Sequence, residues 1–403
     1  MSETDFKRTD LGVIPKDWQI LTLGDLGEPV MCKRILKEQT TSTGDIPFFK
    51  IGTFGGRPDA YISKDLYDLM RSQYSFPNKG DILISAAGTI GRLVIYDGKP
   101  SYFQDSNIVW INHSQEKIIN PFLYYWLNGY KWDAETSCTI SRLYNATIKA
   151  AKIIVPSLKE QKLISKTLQD IDDLISGLKN LIEKKRAIKA GAMSQLLSGK
   201  LHLPGFFEPW HTISLSQLSE FTNITMPCDI FDDSSYVCTE NMKSDCGGII
   251  AYEDIVPYVY SKSYMPFDIL LSNIRPYLKK IWLADKSGCC SNDILAIRPN
   301  FELVSPHFLY YCLAQDCFFN YVMEGAAGTK MPRGNKTHIS QYEFEIPSDL
   351  EEQKAIAKVL TDMDEEISAL ETKQKKYEQL KKGMMQQLLT GKIRLVSPNE
   401  SLS

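Results

Sequence analysis

The chain repeats itself. Residues 156–200 read PSLKEQKLISKTLQDIDDLISGLKNLIEKKRAIKAGAMSQLLSGK, and residues 347–392 read PSDLEEQKAIAKVLTDMDEEISALETKQKKYEQLKKGMMQQLLTGK; after one inserted residue they align at a constant offset of 192. Gln161/Gln353, Lys162/Lys354, Leu168/Leu360, Asp172/Asp364, Gly191/Gly383, Leu196/Leu388 and Gly199/Gly391 are matched pairs. Fainter echoes precede each copy. Trp18, Leu23 and Leu26 match Trp210, Leu215 and Leu218, GDILIS at 80–85 echoes FDILLS at 267–272, and Tyr124-Tyr125 echoes Tyr310-Tyr311. Two copies must solve the same packing problem, so the repeat limits the fold more than any local propensity does. The order is globule, helix, globule, helix.

The helical reading follows from spacing. Ile164, Leu168, Ile171, Ile175, Leu178 and Ile182 recur at intervals of four and three, a single apolar stripe at the coiled-coil period. The second copy carries Ile356, Leu360, Met363, Ile367 and Leu370 in the same places. Proline stands only at each entry, Pro156 and Pro347, and each segment closes on a glycine, Gly199 or Gly391. At about 1.5 Å per residue each helix is roughly 55–60 Å long. One apolar stripe on a helix of that length needs a partner, and the nearest match is the other copy. The expectation is an antiparallel coiled coil with a globule toward each end, which is a ruler.

The remaining segments read as short β-like runs, among them 46–52, 81–85, 92–97 and 107–112 in the first half and 235–240, 268–272, 280–285 and 293–299 in the second, punctuated by Gly, Asn, Asp and Pro. Each half adds one helical stretch, 121–127 or 306–313. The fold class expected is α+β: two α/β globules separated by two long helices, with a pseudo-two-fold internal repeat. The expected boundaries are a first globule at 1–155, a central helix at 156–206, a second globule at 207–346, a C-terminal helix at 347–395 and a disordered tail at 396–403.

Composition excludes several classes. With 43% hydrophobic and 24% charged residues the chain is neither collagen-like nor wholly disordered. No apolar run approaches the roughly 18 residues a bilayer demands, and Met1–Asp10 is too polar for a signal sequence, so a cytoplasmic protein is expected. The nine cysteines include no C-x-x-C pair, which suggests neither a disulfide framework nor a zinc ribbon. Net charge is −3, but residues 151–206 hold 10 Lys+Arg against 5 Asp+Glu, so one stretch is basic. Lys184, Lys185, Arg186 and Lys189 lie there, either as a polyanion-facing edge or as a solvated helix face.

A search for catalysis finds little. Gly88-Thr89-Ile90-Gly91-Arg92 reads as a glycine turn after a strand in preference to a phosphate cradle, and Asn120-Pro121-Phe122 as a helix start. Pro58-Asp59 with Asp97-Gly98-Lys99 imitates a metal-nuclease pattern, but Asp97-Gly98 suits a hairpin turn better. His113, His202, His211, His307 and His338 show no ligand spacing, and no metal site is expected.

What remains are basic and amide residues in marked loops. The second half has Asn273, Arg275, Tyr277, Lys279 and Lys280 in NIRPYLKK, and Lys330, Arg333, Asn335 and Lys336 in GTKMPRGNK. In the first half Ser85, Thr89 and Arg92 follow the DILIS run, Arg142, Asn145 and Lys149 precede the helix, and Lys33, Arg34, Lys50 and Arg57 lie near the first strands. These types contact phosphates, and Arg, Lys and Asn also pair with guanine or adenine edges in the major groove, so they are the candidate DNA contacts. Solvated loop charge is the bland alternative.

Two globules alternating with near-identical P-x(3–4)-E-Q-K helices, Pro156–Lys162 and Pro347–Lys354, which end in LLSGK at 196–200 and LLTGK at 388–392, resemble the specificity subunit of type I restriction-modification systems. The likeness covers nearly the whole chain, and the stretch at 81–92 also resembles that family's first domain, whereas NIRPYLKK departs from it. The resemblance implies that each globule is a target-recognition domain for one half of a bipartite double-stranded DNA sequence and that the helices set the gap. It also implies that two modification subunits dock here and bring in a restriction subunit. S-adenosylmethionine, ATP and Mg2+ then belong to those partners, with no cofactor and no catalysis in this chain. A coiled-coil adaptor that binds only proteins is the rival reading.

Overall fold

The computed structural model describes every residue except 1–5, 133–134, 138–139, 232–234, 251–259, 329 and 397–403. Cys138 and the expected disordered tail beyond Val396 lie outside the described residues. The chain divides into two compact units, residues 1–177 with 373–403 and residues 178–372. Each long helix, Leu158–Leu196 and Leu350–Leu388, therefore serves both.

In the first unit the strand Gln19–Thr22 pairs antiparallel with Lys152–Val155, the strand that leads into the first long helix. A four-stranded antiparallel sheet follows in the order Glu28–Val30, Ile108–Asn112, Ile82–Ser85, Leu93–Ile95. The second unit repeats the plan. Trp210–Ser214 pairs with Glu343–Pro347, and the four-stranded sheet runs Ser219–Thr222, Ile294–Pro299, Ile269–Ser272, Ile281–Leu283. All of Ile82–Ser85 and Ile269–Ser272 is buried, as apolar runs without alternation predict for central strands. Asn120-Pro121 opens the helix Asn120–Gly129, and Pro306 opens Pro306–Leu313.

The helices pair antiparallel within each unit. In the first, Asp172 Oδ1 lies 2.5 Å from Lys381 Nζ, while Ile164 and Leu168 share a core with Leu388 and Leu389. In the second, Lys185 bonds Glu366 at 2.7 Å and Lys189 bonds Asp364 at 2.6 Å, while Leu196 and Leu197 share a core with Ile356 and Leu360. Ile164, Leu168, Ile171, Ile182, Ile356, Leu360 and Ile367 are buried; Ile175, Leu178, Met363 and Leu370 are half-buried, as expected where a single neighbouring helix covers the stripe. The basic run 184–189 has a use not foreseen in the sequence: Lys185, Arg186 and Lys189 bond Glu366, Glu371 and Asp364.

The E-Q-K motif is a joint. Gln161 accepts the Ile119 N–H at 2.9 Å and donates to the Lys117 and Pro156 carbonyls, and Gln353 accepts the Ser305 N–H at 2.9 Å and donates to Leu303 and Pro347. Each glutamine thus ties the start of a long helix to the start of its globule's own helix. Tyrosine adds a second tie. Tyr125 Oη donates to Asp172 at 2.9 Å with Lys381 over its ring, and Tyr311 Oη donates to Asp364 at 2.8 Å with Lys189 over its ring. Burial first, and the Asp172 carboxylate beside it, hold the Tyr125 phenol well above its ordinary pKa, so it stays a donor. Gly199 and Gly391 end the helices at φ +65 and +70, and a Cβ on either would crowd Trp210 or Trp18, so glycine suits both the turn and the close approach.

Candidate nucleic-acid interface

The loops singled out in the sequence come together in space. In the first unit the buried strand Ile82–Ser85 runs into the turn 86–91, where Ser85 Oγ donates to the Thr89 carbonyl and accepts the Arg92 N–H. Ala86 N–H donates to the Asn107 carbonyl at 2.7 Å, Leu143 N–H donates to the Ala86 carbonyl at 2.8 Å, and Ala87 bridges Arg142. The second unit has the same frame. Ser272 Oγ donates to the Ile274 carbonyl, Asn273 N–H donates to Asp293 at 2.8 Å, Gly334 N–H donates to Asn273 at 3.0 Å, and Ile274 bridges Arg333. NIRPYLKK and GTKMPRGNK are thus one surface.

Their turns differ in a way the sequence shows only as absent glycines. Gly88 and Gly91 take positive φ in the first unit, and a Cβ at Gly91 would strike Trp132. In the second unit Arg275 (φ 49, ψ 60) and Lys279 (φ 51, ψ 47) flank the 3-10 turn Pro276–Leu278 in left-handed conformations that cost side-chain-bearing residues energy. The Arg275 N–H donates to Pro332 at 2.8 Å, and Ile274 and Pro276 are buried, which leaves Arg275 and Tyr277 exposed.

The candidate side chains fall into three groups. Arg57, Thr89, Arg142, Asn145, Arg275, Tyr277 and Lys330 are exposed. Others are tethered: the exposed Arg34 and Arg333 to Asp105 at 2.8 Å and Asp293 at 2.9 Å, and the half-buried Lys50, Lys149 and Lys279 to Asp59 at 2.8 Å, Glu28 at 2.5 Å and Asp316 at 2.7 Å. Arg92 donates to the Phe54 carbonyl, Lys280 to the Thr239 carbonyl, and Lys33 and Lys336 lie over the rings of Tyr74 and Phe221. Three are shaping residues. Ser85 is 1% exposed with its hydroxyl spent inside its turn, which corrects its reading as a surface contact. Asn335 caps the helix Lys336–Ser340 through Oδ1, and Asn273 holds its Oδ1 buried with no partner among the described residues.

The sequence reading missed several residues. A cleft of about 540 Å3 in the first unit is lined by cations and amides, among them Lys37, Gln104, Asn107 and Arg142, together with Asp59, Asp105 and the apolar Ile35 and Phe48. Lys262 donates to the Asn292 carbonyl, and burial lowers its pKa. The signal for Asn107 was available, since it opens NIVWIN as Asp293 opens DILAIRP. The metal-nuclease string dissolves: Asp59 pairs with Lys50, and Asp97 accepts the Lys99 N–H in a turn with Gly98 at φ +87. No group of His, Cys, Asp and Glu among the described residues is arranged to hold a metal ion, and no described helix is long and apolar enough to cross a membrane.

This twofold arrangement coincides with known proteins. The type I restriction modification DNA specificity domain matches twice, over residues 15–184 and 208–382, so the chain belongs to that family. A putative type I restriction enzyme specificity subunit of Haemophilus influenzae is 53% identical over 160 residues, a match covering 40% of this chain and 42% of that protein. The putative MjaX specificity subunit of Methanocaldococcus jannaschii is 28% identical over 98% of this chain and 97% of its own length. Among solved structures, the type I restriction-modification S subunit from M. genitalium superposes with a TM-score of 0.59 at 17% identity, covering 92% of this chain and 96% of that one. The chain is a type I restriction-modification specificity subunit with two recognition domains.

Proposed function

We propose that each globule reads one half of a bipartite DNA target, that the paired helices set the gap between the halves, and that the chain itself carries no catalysis. The observation that carries this reading is the loop frame built twice, with cations and amides gathered on it in both units. Such side chains suit phosphates and major-groove edges. Readers on helices of roughly 55 Å meet groove faces that recur every 34–36 Å or so, which is one to one and a half turns of B-DNA.

Docking of two copies of one modification subunit is supported by a second repeated feature. Leu380 and Ile393 stand exposed in the first unit beside an apolar groove of about 640 Å3, and Ile188 and Leu201 stand exposed at the matching positions of the second. Exposed apolar side chains at repeated positions suit a partner that binds twice. The restriction subunit then arrives through those modification subunits. S-adenosylmethionine, ATP and Mg2+ act on the partners.

Methylation profiling of genomic DNA tests the reading, with cells expressing this chain and its cognate modification subunit compared with cells expressing the modification subunit alone. A bipartite motif with adenine methylated in both halves, present only with this chain, is the expected result. An assembled complex without chain-dependent methylation would return the protein-only adaptor to first place.

A further inference from the structure

The loop surface of the second globule holds an aromatic ring among its cations. Arg275, Lys330 and Arg333 are exposed, and Tyr277, inside the 3-10 turn Pro276–Leu278, keeps 51% of its area open to solvent. After the equivalent buried strand the first globule has Gly88 and Thr89, so a large and mostly apolar side chain is displayed in the second globule alone.

The turn that bears this ring is braced from behind. Pro276 is buried, the Arg275 N–H donates to the Pro332 carbonyl at 2.8 Å, and the Leu278 and Lys279 carbonyls accept the Asp245 and Cys246 N–H groups at 3.0 and 2.9 Å. Lys279 is tied to Asp316 at 2.7 Å, at the start of the helix Asp316–Glu324. Arg275 and Lys279 hold left-handed backbones at the two ends of the turn, conformations that glycine would adopt without strain. A ring with two rotatable angles on so fixed a base loses little freedom when it binds.

Chemistry narrows what the ring can meet. Phosphates and the donors and acceptors of base edges suit the cations and amides around it. The major groove offers one apolar group, the C5-methyl of thymine, and an aromatic face is an apolar partner for it. We infer that Tyr277 is a specificity-determining residue of the second globule, whose ring packs on the C5-methyl of a thymine, so that a T·A pair is part of the half-site this globule reads. The contact belongs to the ring and not to the hydroxyl. This inference rests on the proposal that each globule reads one half-site.

The test uses the complex of this chain with its cognate modification subunit and synthetic duplexes carrying the motif that the complex writes. Each thymine of each half-site is replaced singly by deoxyuridine, which pairs identically and lacks only the methyl group, and the rate of methylation is measured. One such replacement in one half-site should slow the wild-type complex by about fourfold, the worth of one buried methyl group. In the Tyr277→Ala complex that penalty should vanish while the other half-site responds as in the wild type, and in the Tyr277→Phe complex, which keeps the ring, it should remain. A wild-type complex indifferent to every replacement would overturn the inference without any variant. So would a penalty that survives Tyr277→Ala, or one lost equally in Tyr277→Phe, which would assign the contact to the hydroxyl. If the wild-type complex writes no bipartite motif, the parent reading fails; a motif written without regard to thymine methyl groups sinks this inference alone.

Discussion

Glu160 and Glu352 occupy the same place in the two halves, both fully buried, yet their surroundings are unequal. The first is held by a fork. Arg394 donates to Glu160 Oε1 at 2.7 Å and Oε2 at 2.8 Å, reaches Asp17 at 2.9 and 3.0 Å, and lies over the ring of Trp18, whose Nε1 also donates to Glu160 at 3.1 Å. At Arg394's place in the second half stands His202, which meets Glu352 Oε1 at 3.0 Å through one nitrogen and bears charge only when protonated. Glu352 Oε2 and Trp210 Nε1 are buried without partners among the described residues. The fold survives with the joint half satisfied because Gln353, the strand ribbon and the apolar core still hold it. An identical backbone solution therefore does not require identical chemistry.

The largest expected effect is Arg394→Ala. Breaking one side of a buried ion pair strands the other charge, and about 3–5 kcal/mol of stability should be lost in urea unfolding of the full chain. A loss below about 1 kcal/mol would make the fork ornamental. Next is the same substitution made twice. Glu160→Gln should cost roughly 2–3 kcal/mol, because it leaves Arg394 half paired, whereas Glu352→Gln should stay within about 1 kcal/mol, because it gives up one contact and relieves an unpartnered oxygen. Equal losses would erase the difference between the joints.

Where the two units match in chemistry, substitutions should match as well. Tyr125→Phe and Tyr311→Phe each remove a hydrogen bond to an aspartate, and each should cost about 1.5 kcal/mol by the same denaturation measurement. Unequal values would mean that the constellations only look alike. The smallest effect belongs to Lys185→Ala. Its partly exposed pair with Glu366 should contribute at most about 0.5 kcal/mol and vanish in high salt.

Much of this was legible in the sequence, for reasons that particular residues explain. Leu168 and Leu360 announce the helices through spacing, and the offset of 192 announces the repeat; both are one-dimensional patterns. The Gln161 and Gln353 joints were visible as repeated letters, but their partners at 119 and 305 lie some 40 to 50 residues away, and long-range bonds leave no periodicity. Arg394 falls just before the point where the tail was expected to begin, and nothing local marks it as the partner of Glu160. Arg142 and Arg333 were both picked out as cationic loop residues. That the two hold one place in the loop frame becomes visible only once the backbone pairs Ala87 with Arg142 and Ile274 with Arg333.

The central claim is that the paired helices fix the gap between two readers. In the first unit Asp172 faces Lys381, so an antiparallel pair is lengthened with its register intact only by inserting into both strands at facing points. The decisive measurement is the methylation motif written by a chain carrying one added heptad between Ser176 and Gly177 and another between Lys376 and Tyr377. Seven residues add roughly 10 Å, about three base pairs of B-DNA. The account predicts both half-sites unchanged and the gap wider by about three base pairs; an unaltered gap, or altered half-sites, would contradict it.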